Sequence, residues 1–114
     1  MSNPLIEKMR RARETKIEAG GYTFTVRRPT DLELAQMSGR ETLQIDLVRD
    51  FVVGWAGVNQ IDCIPGGDAS PVAFDPPLYR EWIVDRPELW GPISAAVMQA
   101  YQTYRETRGD AAKN

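Results

Sequence analysis

The stretch FDPPLYREWIVDRPELWGPISAAVMQAYQTYR, Phe74–Arg105, decides how this chain folds. It holds two of the three tryptophans and three of the four tyrosines. Asp75 is a good helix N-cap, and Pro76 suits the first helical position, where no backbone donor is missed. Leu78 with Trp82 and Tyr79 with Ile83 form i,i+4 pairs, which puts one apolar stripe opposite Arg80, Glu81 and Asp85. Arg86-Pro87 stops that helix, because a residue before proline is pushed out of the α region. Asp85 and Glu88 stand at capping-box spacing for a new turn containing Leu89 and Trp90. Gly91-Pro92 then restarts the chain as a long helix. Ile93, Ala96, Val97, Ala100, Tyr101 and Tyr104 fall at helical spacing along it and form its apolar seam. Two helices thus meet at an aromatic corner, and the rest of the chain is expected to cover that corner.

Upstream, Asn3-Pro4 is a second cap-plus-proline start, and a helix is expected from Asn3 to Glu14. Its apolar face is Leu5, Ile6, Met9 and Ala12, with Lys8, Arg10, Arg11 and Arg13 around the rest. From Lys16 to Arg28 the period changes to two: Tyr22, Phe24 and Val26 alternate with Thr23, Thr25 and Arg27. Gly20-Gly21 sits where a two-residue hairpin turn needs positive φ. Thr30 and Glu33 make a capping box for a short helix through Leu32, Leu34 and Met37, ended by Gly39. A third helix is expected from Thr42, carrying Leu43, Leu47, Val48, Phe51, Val52 and Trp55. Residues 55–74 read as a long loop with apolar residues that tack it to the core. The expected fold is one α+β domain over residues 1–114, mainly α-helical, with four or five helices, a small N-terminal β-hairpin and a polar, frayed tail from about residue 109.

Composition narrows the function. The chain of 114 residues is 42% hydrophobic and 26% charged, the balance of an ordinary globular protein. No run approaches the roughly 18 apolar residues of a membrane span, and Glu7, Lys8, Arg10 and Arg11 interrupt any apolar leader. The single cysteine, Cys63, has no partner within the chain, as is usual in a reducing compartment. Histidine is absent. That removes the commonest general base, the Ser-His and Cys-His pairs, and the imidazole ligands of zinc. Asn59, Asp62 and Asp68 lack the spacing of a calcium loop, and Pro65-Gly66-Gly67-Asp68 reads as turn chemistry. Asp75, Glu81, Asp85 and Glu88 are the carboxylates an enzyme would have to use, and two of them are assigned as caps. No enzyme, metal or cofactor is expected.

Charge is uneven: residues 1–28 carry +4 and residues 29–114 carry −6, for a net −2. With a pI of 5.1 and no nucleic-acid signature, the basic first helix reads as a solvated face or a contact for an acidic protein, not as a nucleic-acid site. Trp55, Trp82 and Trp90 are assigned to the core. Tyr101 and Tyr104 are assigned to a partly exposed surface, since tyrosine and tryptophan dominate binding hot spots. The candidate partner surface combines Tyr101, Tyr104 and the face around Trp90 with Arg10 and Arg11.

Three segments, GGYTFTVRRPTDLE (Gly20–Glu33), DLVRDFVVGWAGV (Asp46–Val58) and PVAFDPPLYREWIVDRPELWGPISAAVMQAY (Pro71–Tyr101), together resemble the tail assembly chaperones of long-tailed, siphovirus-like bacteriophages and prophages. The resemblance rests on caps and aromatics and assigns no residue a role. It implies a small, mostly helical, non-enzymatic protein of the host cytoplasm. Such a protein binds the tape measure protein and the major tail tube protein during tail assembly and is absent from the mature virion. It implies no membrane partner, and homo-oligomerisation is left open. Two other classes remain beside it: within the phage resemblance, a head–tail connector or tail-completion protein retained in the particle, and, from the residues, a small histidine-free enzyme working through carboxylates.

Overall fold

The turn at Gly20-Gly21 organises the sheet. The structure, a computed structural model, describes residues 3–113, with side chains through residue 109. Strand β1 (Glu14–Ala19) pairs antiparallel with β2 (Tyr22–Arg27), Ala19 facing Tyr22 across the turn. Gly20 and Gly21 have φ of 61° and 86°, the paired positive values that a tight hairpin requires. A Cβ on Gly20 would also lie 2.6 Å from Leu89 Cδ2, so the leucine tip would have to shift, but it is the torsion that requires glycine.

A third strand, β3 (Val52–Ala56), joins the free side of β2, giving the order β1-β2-β3. This corrects the expected helix through Trp55. Helix α3 (Leu43–Asp50) stops at Phe51, whose φ of −119° has left the helical region. The β-branched pair Val52-Val53 suits the pleated edge it joins. A register shift between Thr25 and Val26 turns both Val52 and Trp55 toward the core. The sheet is therefore a three-stranded meander, not an isolated hairpin.

The helices follow their caps. Helix α1 (Pro4–Ala12) starts where Asn3 Oδ1 accepts the Leu5 amide at 2.8 Å. It ends before Glu14, which already belongs to β1. The Thr30/Glu33 capping box opens α2 (Asp31–Met37). A one-turn helix, α4 (Gln60–Cys63), interrupts the expected loop. Asp75 caps α5 (Pro76–Ile83), accepting the Leu78 amide. Asp85 does not cap: a 3-10 turn at Pro87–Leu89 begins after Arg86 without a side-chain cap. That turn runs straight into α6 (Trp90–Lys113), so Gly91-Pro92 lies in the helix's first turn instead of before it. The helical backbone continues past Gly109; the side chains of the expected polar tail beyond it fall outside the described residues. The fold is α+β and mainly helical, with six α-helices among the described residues.

Helices cover one face of the sheet. Phe24 and Val26 on β2, Val48 on α3, Ile83 on α5, and Ile93 and Val97 on α6 have no accessible surface. Burying each side chain of this size contributes about 1.5–3 kcal/mol. The aromatic packing forms between α5 and the sheet instead of at the expected corner of α5 and α6: Trp82 is edge-on to Tyr22 on β2 and to Trp55 on β3, each at 5.4 Å between ring centroids. All three indoles donate to backbone carbonyls: Trp55 to Val72, Trp82 to Asp62 and Trp90 to Ile83. The first two of these fasten the 59–74 segment to the core. Its loop closes where Gly67 passes the backbone of Gln60 so closely that a Cβ would sit at 2.8 Å.

Candidate protein-binding surface

Helix α1 buries no residue. Leu5, Ile6 and Met9 are 60%, 45% and 51% exposed, although their spacing makes one apolar face. Such a face normally packs inward, because apolar area left in water forgoes the main driving force of folding. Lys8, Arg10 and Arg11 are exposed beside it. Glu7 lies within 3.6 Å of Arg10.

At the end of α1 the chain enters an open cleft of about 740 Å³ between β1 and α6. The α6 wall is a stripe of small side chains, Ala96, Ala100, Thr103 and Thr107, spaced i, i+4, i+7 and i+11. The β1 wall is Thr15 and Ile17, and Ala12 joins the cleft to the apolar face of α1. Gln99 and Tyr104 flank the stripe on α6, and Arg13, Arg28 and Arg108 complete the lining, which contains no carboxylate. Arg28 stacks on the Tyr104 ring, 3.4 Å from its centroid, and donates to Pro29 O. Among the described residues, neither Arg13 nor Arg28 forms an ion pair.

Behind this wall Asp31 gathers the C-terminal half of α6. Its carboxylate accepts from Tyr101 Oη at 2.7 Å and from Arg108 at 2.8 Å, with Arg105 at 3.6 Å. The Tyr101 hydrogen bond, helped by the arginines, holds the Asp31 carboxyl below its ordinary pKa. The same bond raises the Tyr101 phenol. Arg108 also donates to Tyr104 Oη at 2.9 Å.

The expected site residues are thus only partly assembled. Tyr104 lines the cleft, and Tyr101 lies beside it with its hydroxyl committed to α2. Trp90 stands three turns away, about 16 Å along α6, half-buried against α5. Arg10 faces a separate hollow of about 440 Å³ with Arg27, Glu33 and Val53. Arg11 is simply exposed. The sequence reading puts Ala96 and Ala100 in the apolar seam of the last helix, whereas they line the open cleft, and it does not single out Ile17, Thr103, Thr107 or Arg108. The i, i+4, i+7 spacing of alanine and threonine is visible, but nothing in it names the strand it faces.

Of the carboxylates weighed for chemistry, three are engaged and three are exposed. Asp75 caps α5, while Asp62 accepts from Tyr22 Oη at 2.9 Å and from the Asn59 amide at 2.8 Å. Asp68 accepts the Ser70 amide, and Glu81, Asp85 and Glu88 are exposed. Among the described residues no group of three or more Cys, Asp or Glu side chains converges as metal ligands, and no helix is long and apolar enough to cross a membrane. No protein-family model, curated protein or solved structure matches the chain.

Proposed function

We propose that this protein is a non-enzymatic tail assembly chaperone of a long-tailed phage or prophage, holding the tape measure protein and the major tail tube protein in the host cytoplasm until they assemble. The observation that carries the reading is the uncovered apolar face of α1, continuous through Ala12 with the arginine-lined cleft beside α6. A chaperone without an energy source needs reversible anchors, and a surface of this kind supplies them. The resemblance of Gly20–Glu33, Asp46–Val58 and Pro71–Tyr101 to this family supports the same reading and names the partners. On this reading the protein leaves before the particle is complete.

The test is co-expression with the tail tube and tape measure proteins of the same phage, followed by affinity capture and light scattering. Retention of either partner supports the reading, and a folded protein that retains neither contradicts it. Finding the protein stoichiometrically in purified virions would replace it with a retained connector or tail-completion protein.

A further inference from the structure

We infer that the α6–β1 cleft and the apolar face of α1 together receive one amphipathic helix of acidic character, offered by a protein partner. The assignment rests on the chaperone reading for the partner's being a protein, and it names the class of segment that partner presents.

Shape argues for a helix. Ala96, Ala100, Thr103 and Thr107 leave a low ridge about 16 Å long on α6, against which another helix can approach closely. A strand added to the sheet would pair in the plane of β1, beside Glu14, Lys16 and Glu18, and would leave the cleft unfilled. A small ligand could fill the cleft but could not also cover Leu5 and Met9 on α1.

Charge selects the acidic partner. No carboxylate lines the cleft, and of its three arginines Arg108 is already paired with Asp31 while Arg13 and Arg28 form no ion pair among the described residues; exposed Lys8 and Arg11 on α1 add to this basic character. A second copy inserting its own α1 would bring Lys8 and Arg11 against Arg13 and Arg28, like charge on like. Nucleic acid would satisfy the arginines but not the apolar floor of Ala12, Ile17, Ala96 and Ala100.

The test uses the full chain and a fluorescein-labelled synthetic helix of about four turns, with leucine at i, i+3, i+4 and i+7 and glutamate on the opposite face. A counterpart carries lysine in place of glutamate. The acidic peptide is expected to bind about tenfold or more tighter than the lysine peptide, and to weaken as salt rises. Ala100→Trp, which fills the cleft, and Leu5→Ser with Met9→Ser, which touches no buried residue, should each weaken binding about tenfold. Equal binding of the two peptides, binding of neither, or affinity unchanged by both variants would overturn the inference. So would a homodimer that the same variants dissociate, or displacement of the peptide by a single-stranded oligonucleotide as readily as by unlabelled peptide. The chaperone reading fails separately. If the variants still retain the tail proteins, the cleft assignment falls and the chaperone stands. If the peptide binds as expected but no tail protein is retained, the chaperone reading falls and the cleft stands.

Discussion

The Tyr101 hydroxyl donates a 2.7 Å hydrogen bond to Asp31 Oδ1, joining the middle of the last helix to the first turn of α2. Arg108 takes the other carboxylate oxygen at 2.8 Å. The distal half of α6, which reaches beyond the buried contacts of Ile93 and Val97, is thereby held at one wall of the cleft. Tyr101→Phe keeps the ring and removes its hydrogen bond from the tether, leaving the arginine contacts to Asp31. Amide exchange at residues 101–108 should then quicken while that of residues 92–97 stays unchanged, which hydrogen-exchange mass spectrometry would resolve. Unaltered exchange in both segments would show that this hydrogen bond does not restrain the helix.

Tyr79 tests the core. Its hydroxyl donates to Val48 O at 2.6 Å in a fully buried setting, and burial pushes the phenol well above its ordinary pKa. Tyr79→Phe leaves the Val48 carbonyl without this donor, at an expected cost of about 1–3 kcal/mol in urea unfolding. The alternative change, Tyr79→Leu, should cost more because it also removes ring packing against Phe74 and Trp55.

Acid should loosen the α2 region before the rest. The Arg27 guanidinium, which donates to both oxygens of Glu33 at 2.9 Å, lowers the Glu33 carboxyl from 4.5 to about 2, and the Thr30 amide helps. A carboxyl with a depressed folded pKa adds stability that is full above its unfolded value and is lost as pH falls through the folded one. The window is therefore about pH 4.5 down to about pH 2. The pair is about a third exposed, so on the order of 1–2 kcal/mol is at stake. Asp31, also depressed, acts in the same direction. Glu33→Gln should flatten the pH dependence of unfolding in this window, and an unchanged slope would count against the ion pair.

Leu5→Ser with Met9→Ser separates fold from function. Both residues are more than half exposed on a helix that buries nothing. Stability should stay within about 0.5 kcal/mol of wild type, with binding alone impaired. A clear loss of stability would mean that α1 packs on the body.

What is legible in the sequence is local. Gly20-Gly21, the Thr30/Glu33 box and the Asn3-Pro4 and Asp75-Pro76 starts all use side chains within a few residues of the torsions they control. Strand β3 is hidden because Leu47, Phe51 and Trp55 continue the i,i+4 spacing of α3 without a break. Only pairing with β2, a distant partner, converts Val52–Ala56 to a strand. Asp85 and Glu88 have the right spacing for a cap, but Pro87 draws the chain into a 3-10 turn directly after Arg86. The 59–74 segment owes its order to carbonyls that accept from Trp55 and Trp82, which no local pattern announces. The cleft is hidden for a related reason. The alanines and threonines of α6 become a wall only once Ile93 and Val97 are buried and β1 lies opposite.

The most direct measurement is the fraction of tape measure protein that stays soluble when co-expressed with this chain, compared with the Leu5→Ser, Met9→Ser variant at equal expression. The proposed function predicts a soluble complex with the wild-type protein, and the assignment of the binding surface to α1 and the cleft predicts its loss with the variant. A tape measure protein that is equally insoluble with and without the wild-type chain would contradict it.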